Sequence, residues 1–188
     1  YYDSSSETCY GCPGGRYSDA VGIQTQTECK FCNAGKFNDE EGAFYCKLCQ
    51  GGTFTNNDGA VTCKNCNAGK YSLLGSLECT PCPAGRYGSN DGESLKDCTG
   101  PCKAGTYGLG GSKTSNCDGL CPAGSFSESG ANTKYCSLCK AGKYNPSEGQ
   151  SRCPHECPKG TYSIAGLTAC INCPSGKYGT TTGASSES

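Results

Sequence analysis

The chain has 188 residues, of which 20 are cysteine and 29 glycine, with no Met or Trp and a single histidine. Its hydrophobic share is 34% with the cysteines included, too little for a conventional core, and its formal charge of −1 gives no reason to expect nucleic acid or an anionic membrane as partner. No apolar run nears the roughly 18–20 residues of a membrane-spanning helix, so cross-links must hold the fold, and the even, very large cysteine count places it in an oxidising compartment, outside the cell or at its surface.

Residues 1–8, YYDSSSET, read as the end of a preceding unit or a linker. Tyr1 lies eight residues before Cys9, the aromatic-to-cysteine distance also found in Tyr71–Cys79 and Tyr162–Cys170, and is expected to be the aromatic of that preceding unit. From Cys9 onward, residues 9–178 resolve into ten tandem repeats of 16–20 residues, a sign of stacked architecture. Every repeat opens with a cysteine pair. Seven pairs are C-x-x-C, and Cys98/Cys102, Cys117/Cys121 and Cys153/Cys157 carry one residue more.

After every second cysteine comes x-x-G-x-[YF], with aromatics at Tyr17, Phe37, Phe54, Tyr71, Tyr87, Tyr107, Phe126, Tyr144, Tyr162 and Tyr178. These are expected to pack on a disulfide or on the next repeat's turn. Another glycine follows four or five places on, as in NDEEG, TNNDG, SNDG and NPSEG, the chemistry of a tight turn with positive φ. Stretches such as AFYC, AVTC and TKYC, between turn and cysteine, read as short strands. The expected fold is therefore small and disulfide-rich, an elongated tandem array of short irregular β-hairpin units with little or no helix. Residues 179–188 are the Ser/Thr-rich remainder of the last unit.

Paired C-x-x-C motifs can also make four-cysteine zinc sites. An aromatic at a fixed place after every pair serves no zinc knuckle, the pairs have no grouping into fours, and a secreted setting favours oxidation, so no metal and no cofactor is expected. Bonds within C-x-x-C would be small and strained. Two schemes remain. In a crossed scheme Cys9 bonds Cys29 and Cys12 bonds Cys32. In a chain-wise scheme each loop closes around its own glycine and aromatic: Cys12–Cys29, Cys32–Cys46, Cys49–Cys63, Cys66–Cys79, Cys82–Cys98, Cys102–Cys117, Cys121–Cys136, Cys139–Cys153 and Cys157–Cys170. We favour the second, in which each loop contributes about 3 kcal/mol by restricting the unfolded chain.

The phrase C-P-A-G-x-Y, as in CPAGRY from Cys82, followed by about ten residues and another cysteine pair, resembles the ephrin-receptor-like cysteine-rich repeat. It is also similar to the first loop of a tumour-necrosis-factor-receptor module. The resemblance covers residues 9–178 and implies a loop closed by its flanking cysteines, in support of the chain-wise scheme. The extra crossed cysteines of a full receptor module are missing.

Chain-wise pairing leaves Cys9 and Cys173 over, and both are expected to bond outside the segment. A cysteine is due just past Ser188, five residues after Gly183, so the segment is expected to be a window on a longer array.

No catalytic constellation is present and no enzyme is expected. His155 has neither a second histidine nor a nucleophile beside it, and the cysteine spacing argues against redox catalysis. Arg16, Lys36, Lys70, Arg86, Lys143 and Lys177 precede the aromatic in six repeats, while Asp39, Glu40, Glu41, Asp58, Asp91 and Glu148 gather in the turns. The plain reading is a solvated surface, and the sharper one is lateral pairing between neighbouring arrays. The acidic turns lack the ligand order of an EF-hand. NPS at 145–147 is blocked by Pro146 as a glycosylation sequon, whereas Ser/Thr-rich ends admit O-glycans.

The architecture expected is a solenoid-like rod on the order of 100–150 Å long. The function expected is an extracellular structural segment of a filament, coat or appendage, whose partners are neighbouring repeats or copies of itself. The alternative is a receptor or adhesion ectodomain presenting a protein-ligand site, for which the region from Cys98 to Cys121 departs most from the pattern.

Overall fold

The computed structural model describes residues 2–3, 8–129 and 135–186. The readings placed on Tyr1, on the SSSE run and on the last two serine-flanked positions lie outside the described residues. The chain divides into two compact bodies, Tyr1–Pro81 with Asn90–Cys98, and Cys82–Ser89 with Thr99–Ser188. Both are assembled from the same small element.

That element is a two-stranded antiparallel hairpin. For the nine repeat aromatics from Tyr17 to Tyr162, the aromatic and the residue before it form one strand, and the two residues before the next pair's second cysteine form the other. In the first body Arg16–Tyr17 pairs with Lys30–Phe31, and Lys36–Phe37 with Lys47–Leu48. In the second, Thr106–Tyr107 pairs with Gly119–Leu120, and Tyr162 stands opposite Ile171. Nine sheets follow this plan, and a tenth joins Tyr2–Asp3 to Thr8–Cys9. Among the described residues the one helical turn is a 3₁₀ segment, Gln26–Glu28, where the Glu28 carboxylate accepts the Thr25 and Gln24 N–H groups. The fold is a small disulfide-rich, all-β repeat array.

The strands do not lie where the AFYC and AVTC stretches suggested. They begin after the first cysteine, not before it. In residues 43–46 the Ala43 carbonyl is taken by Ser18 N–H of the previous repeat, while Phe44 and Tyr45 are 70% and 54% exposed. Backbone committed to a neighbouring repeat cannot also build a ladder in its own hairpin.

Disulfides close the loops. The first body holds Cys12–Cys29, Cys32–Cys46, Cys49–Cys63 and Cys66–Cys79. The second holds Cys102–Cys117, Cys121–Cys136, Cys139–Cys153 and Cys157–Cys170. Cys82 and Cys98 each take part in a disulfide too. In two of the three pairs with an extra residue, the first cysteine, Cys98 or Cys117, takes up left-handed backbone with φ of 50° and 52°, a conformation that costs a residue with a Cβ about 1–2 kcal/mol.

The interior has an unusual make-up. Among the described residues, the buried apolar side chains are all cysteine, led by the second cysteines Cys32, Cys49, Cys66, Cys121, Cys139 and Cys157 at 0% exposure. Leu48, Leu120, Leu138 and Ile171 lie on the surface. Sulfur and backbone, not aliphatic side chains, fill each body.

Candidate functional site

The feature built with most care is the contact between successive repeats. Three backbone hydrogen bonds recur. The glycine of G-x-[YF] donates to the residue after the next repeat's aromatic, as in Gly15→Asn38 at 2.7 Å and Gly142→Ser163 at 2.8 Å. The residue after the aromatic donates to the residue following the next turn glycine, as in Asn38→Ala60 and Ser163→Ala184, both 3.1 Å. The turn glycine donates back to the previous second cysteine, as in Gly59→Cys32 and Gly183→Cys157, both 2.7 Å. The G-x-[YF] glycine also accepts from the next second cysteine, as in Cys32→Gly15 at 2.9 Å. Its backbone polar groups are thus consumed by one neighbour.

The repeat after that takes its remaining side. A Cβ added at Gly15 would overlap the carbonyl oxygen of turn glycine Gly59, two repeats along. The same holds for Gly52 on Gly92, Gly105 on Gly149, and Gly142 on Gly183. A glycine hydrogen fits where a methyl cannot, and forms a Cα–H···O contact.

A buried polar ladder runs alongside, and sequence reasoning missed it. The residue after the aromatic is Ser18, Asn38, Thr55, Ser72, Gly88, Gly108, Ser127, Asn145, Ser163 or Gly179: always small or polar, which was the available signal. Asn38, Ser127, Asn145 and Ser163 are 0–3% exposed. Each donates to the strand of the previous repeat: Asn38 Nδ2 to Arg16 O at 2.7 Å, Ser127 Oγ to Thr106 O at 2.7 Å, Asn145 Nδ2 to Ser125 O at 3.1 Å, and Ser163 Oγ to Lys143 O at 3.0 Å. Among the described residues no buried side-chain polar atom lacks a partner, as a polar interior requires.

The aromatics take another place. Nine of the ten are half-buried, while Tyr178 is 86% exposed. Tyr17 faces Lys30, whose ammonium stands 5.8 Å from the ring, Tyr107 covers Gly119, and Tyr144 stacks on His155 at 5.1 Å. Where the residue before the aromatic is not basic it is Thr53, Thr106, Ser125 or Thr161, and each hydroxyl closes on a carbonyl three residues back, at 2.7–2.8 Å.

Four of the turn acids have partners. Asp58 and Asp91 accept the Ala34 and Ala68 N–H groups of the preceding repeat at 2.8 and 2.7 Å. Asp39 and Glu40 pair with Lys47 at 2.9 and 2.7 Å. The hydrogen bond from Lys47 lowers the Asp39 pKa, and hydrogen bonds to Glu40 and then Asp39 raise Lys47 well above the usual lysine range. Asp19 is likewise lowered by its hydrogen bond with Lys30.

Two further surfaces stand out. In the first body an open cavity of about 280 Å³ lies beside Cys9, lined by Tyr10, Ser18, Gly22, Ile23 and Gly42. In the second, an open groove of about 440 Å³ is formed by Tyr107, Leu109, Pro122, Tyr135 and Leu138. Cys9 and Cys173 are free thiols, the first exposed and the second half-buried.

No protein-family model matches the chain. It is similar to the Sushi, von Willebrand factor type A, EGF and pentraxin domain-containing protein 1 of Rattus norvegicus, 35% identical over 192 residues that cover 90% of this chain. The protein of the same name from Mus musculus is 35% identical over 175 residues, again 90% of this chain. The chain spans about 4% of the length of these relatives.

Proposed function

We propose that this chain is an extracellular structural array, a disulfide-stapled segment of a filament, surface coat or appendage. The observation that carries this reading is the uniformity of the inter-repeat contact. The same three backbone bonds recur from repeat to repeat, and the interior is consumed in making them. An array held by backbone and disulfides resists proteolysis without a large core and propagates by nearest-neighbour contacts. Similarity to proteins named for EGF and Sushi domains supports the extracellular setting, since such disulfide-dense modules belong to oxidising compartments. The C-P-A-G-x-Y phrase supports kinship with ephrin-receptor-like repeats. Electron microscopy of native material tests the proposal: filaments or a continuous coat are expected, and isolated membrane-attached particles would overturn it.

One observation favours the second reading, a receptor or adhesion ectodomain. The groove of Tyr107, Leu109, Tyr135 and Leu138 gathers apolar side chains, and Tyr107 and Leu109 belong to the Cys98–Cys121 region where the repeat pattern departs most. Leu109, Tyr135 and Leu138 are 54%, 66% and 62% exposed, a cluster suited to an apolar protein ligand. Leu138→Glu would then abolish capture of that ligand by native protein while leaving the disulfide map unchanged.

A further inference from the structure

One groove recurs at equivalent positions of the repeat. It is lined by a repeat aromatic, the residue after the next second cysteine, the residue before the next aromatic, and the residue before the following first cysteine. In the first body one such groove holds Tyr17, Asn33, Lys36 and Tyr45 in about 160 Å³. Another holds Phe54, Asn67, Lys70 and Glu78 in about 440 Å³, with Lys64 on its wall. In the second body the same positions are Tyr107, Pro122, Ser125 and Tyr135, so the side chains at these positions, not the fold, set what a groove can hold. The two polar grooves come from one phrase, C-N-A-G-K, which stands at 32–36 and 66–70 and at no other cysteine pair.

The cations on the hairpin strands of the first body fall into two groups. Arg16 donates to Cys29 O at 3.2 Å and lies over Phe31, Lys30 is paired with Asp19, and Lys47 with Asp39 and Glu40. The ammonium groups of Lys36, Lys64 and Lys70 have no hydrogen bond or ion pair among the described residues, and neither do the side-chain amides of Asn33 and Asn67. All five residues are exposed, and all five line the two grooves. The grooves lie on repeats that touch: a Cβ added at Gly35, beside Lys36, would overlap the carbonyl oxygen of Gly75, in the turn that follows Lys70.

We infer that these grooves are paired subsites for an acidic polysaccharide, a polymer of sugar rings that carry carboxylate or sulfate. The uncommitted ammonium groups bind the anions by charge-assisted hydrogen bonds. The Asn33 and Asn67 amides both donate and accept, as sugar hydroxyls require. Tyr17 and Phe54 offer electron-rich ring faces to sugar C–H groups. In the Phe54 groove the Glu78 carboxylate opposes Lys64 and Lys70, leaves one positive charge in excess, and can accept a sugar hydroxyl. An acidic peptide side chain would use the ammonium groups alone. Acidic residues outnumber basic ones in the chain, 17 to 16, so the net charge does not draw a polyanion and the attraction is local to the grooves. Two weak subsites on touching repeats give one long ligand an avidity that neither has alone. Such a ligand is compatible with either reading of function, and its failure leaves both standing.

The test is an NMR titration of the full chain, isotope-labelled in an oxidising host, with a heparin tetrasaccharide, a hyaluronan tetrasaccharide and uncharged cellotetraose. The side-chain amide signals of Asn33 and Asn67 are expected to shift with an acidic sugar and to stay in place with cellotetraose. A response to heparin alone assigns sulfate as the anion, and a response to hyaluronan alone assigns carboxylate. Lys36→Gln combined with Lys70→Gln should weaken binding read at those signals about tenfold or more, with the disulfide map unchanged. Lys47→Gln removes a cation that already has partners and should leave that affinity as it is at physiological salt. Asn33 and Asn67 signals unmoved by both acidic sugars would overturn the inference, as would undiminished affinity in the double variant or an equal loss in Lys47→Gln. So would a tetraglutamate peptide that shifts the same signals at the same concentrations.

Discussion

The Cα of Gly52 lies against the carbonyl oxygen of Gly92, two repeats further along the chain. Both glycines have positive φ, 86° and 77°. Gly52 also donates to Ser72 O at 2.9 Å, so it is held by the next repeat and pressed by the one after. Two costs attach to replacing it, and they separate cleanly. Gly160→Ala, where the added methyl meets nothing within 4 Å among the described residues, should cost about 1–2 kcal/mol for the left-handed backbone alone. Gly52→Ala adds displacement of the Gly92 backbone and should cost several kcal/mol in total, at the upper end of single substitutions. Chemical denaturation of the two variants, with disulfides intact, measures the difference. Equal losses would show that the close approach contributes nothing.

The polar ladder makes a second prediction. Ser127→Ala removes a buried hydroxyl that donates to Thr106 O at 2.7 Å and strands that carbonyl. A loss of about 1–3 kcal/mol is expected, with faster amide exchange at Gly105, which donates to Ser127 O at 2.8 Å. Ser127→Thr keeps the donor and should recover exchange protection only where its extra methyl is accommodated. Slower exchange in the alanine variant would contradict the ladder's role.

Acid and base titrate the Lys47 cluster in opposite directions. Asp39 has a folded pKa below its unfolded value, so its contribution is complete above the unfolded pKa and is lost as pH falls through the folded one. Lys47 has a raised pKa, so its contribution is complete below the unfolded lysine pKa and is lost as pH rises through the folded one. These side chains are exposed, so the effect on global stability is small and screened by salt. Carboxyl NMR titration should place Asp39 below the ordinary aspartate range. Lys47→Gln should return it upward, and an unmoved midpoint would refute the pairing.

Cross-links, not metal, are expected to hold the chain. A strong thiol reductant should abolish the fold at ambient temperature, since each loop loses roughly 3 kcal/mol of restraint on the unfolded state and almost no aliphatic core remains. A chelator at the same concentration should leave circular dichroism and amide exchange unchanged. Unfolding by chelator alone would return the cysteine pairs to a zinc-binding reading.

Much of this was legible in the residues themselves. Ten copies of C-x-x-G-x-[YF] set the repeat period, the hairpin character and the poverty of helix, because glycine, disulfide and aromatic spacing act locally. Strand position was not legible. AFYC has the composition of a strand, yet its carbonyl at Ala43 belongs to the previous repeat, a partner that no local pattern names. The ladder of Asn38, Ser127 and Ser163 left a trace as an always small or polar residue after the aromatic, which gains meaning only once that position is seen to be buried.

Sequence alone determined the unit: its length, its closure by paired cysteines, and its glycines at two constant places. Tertiary structure alone decided what those glycines are for. Gly52 is needed less for a turn of its own than because Gly92, 40 positions away, brings a carbonyl to within the space of a hydrogen atom. Local sequence encodes the torsions of a short loop. Which backbone atoms meet across two repeats depends on how the hairpins stack, and that is settled by the summed hydrogen bonds between them.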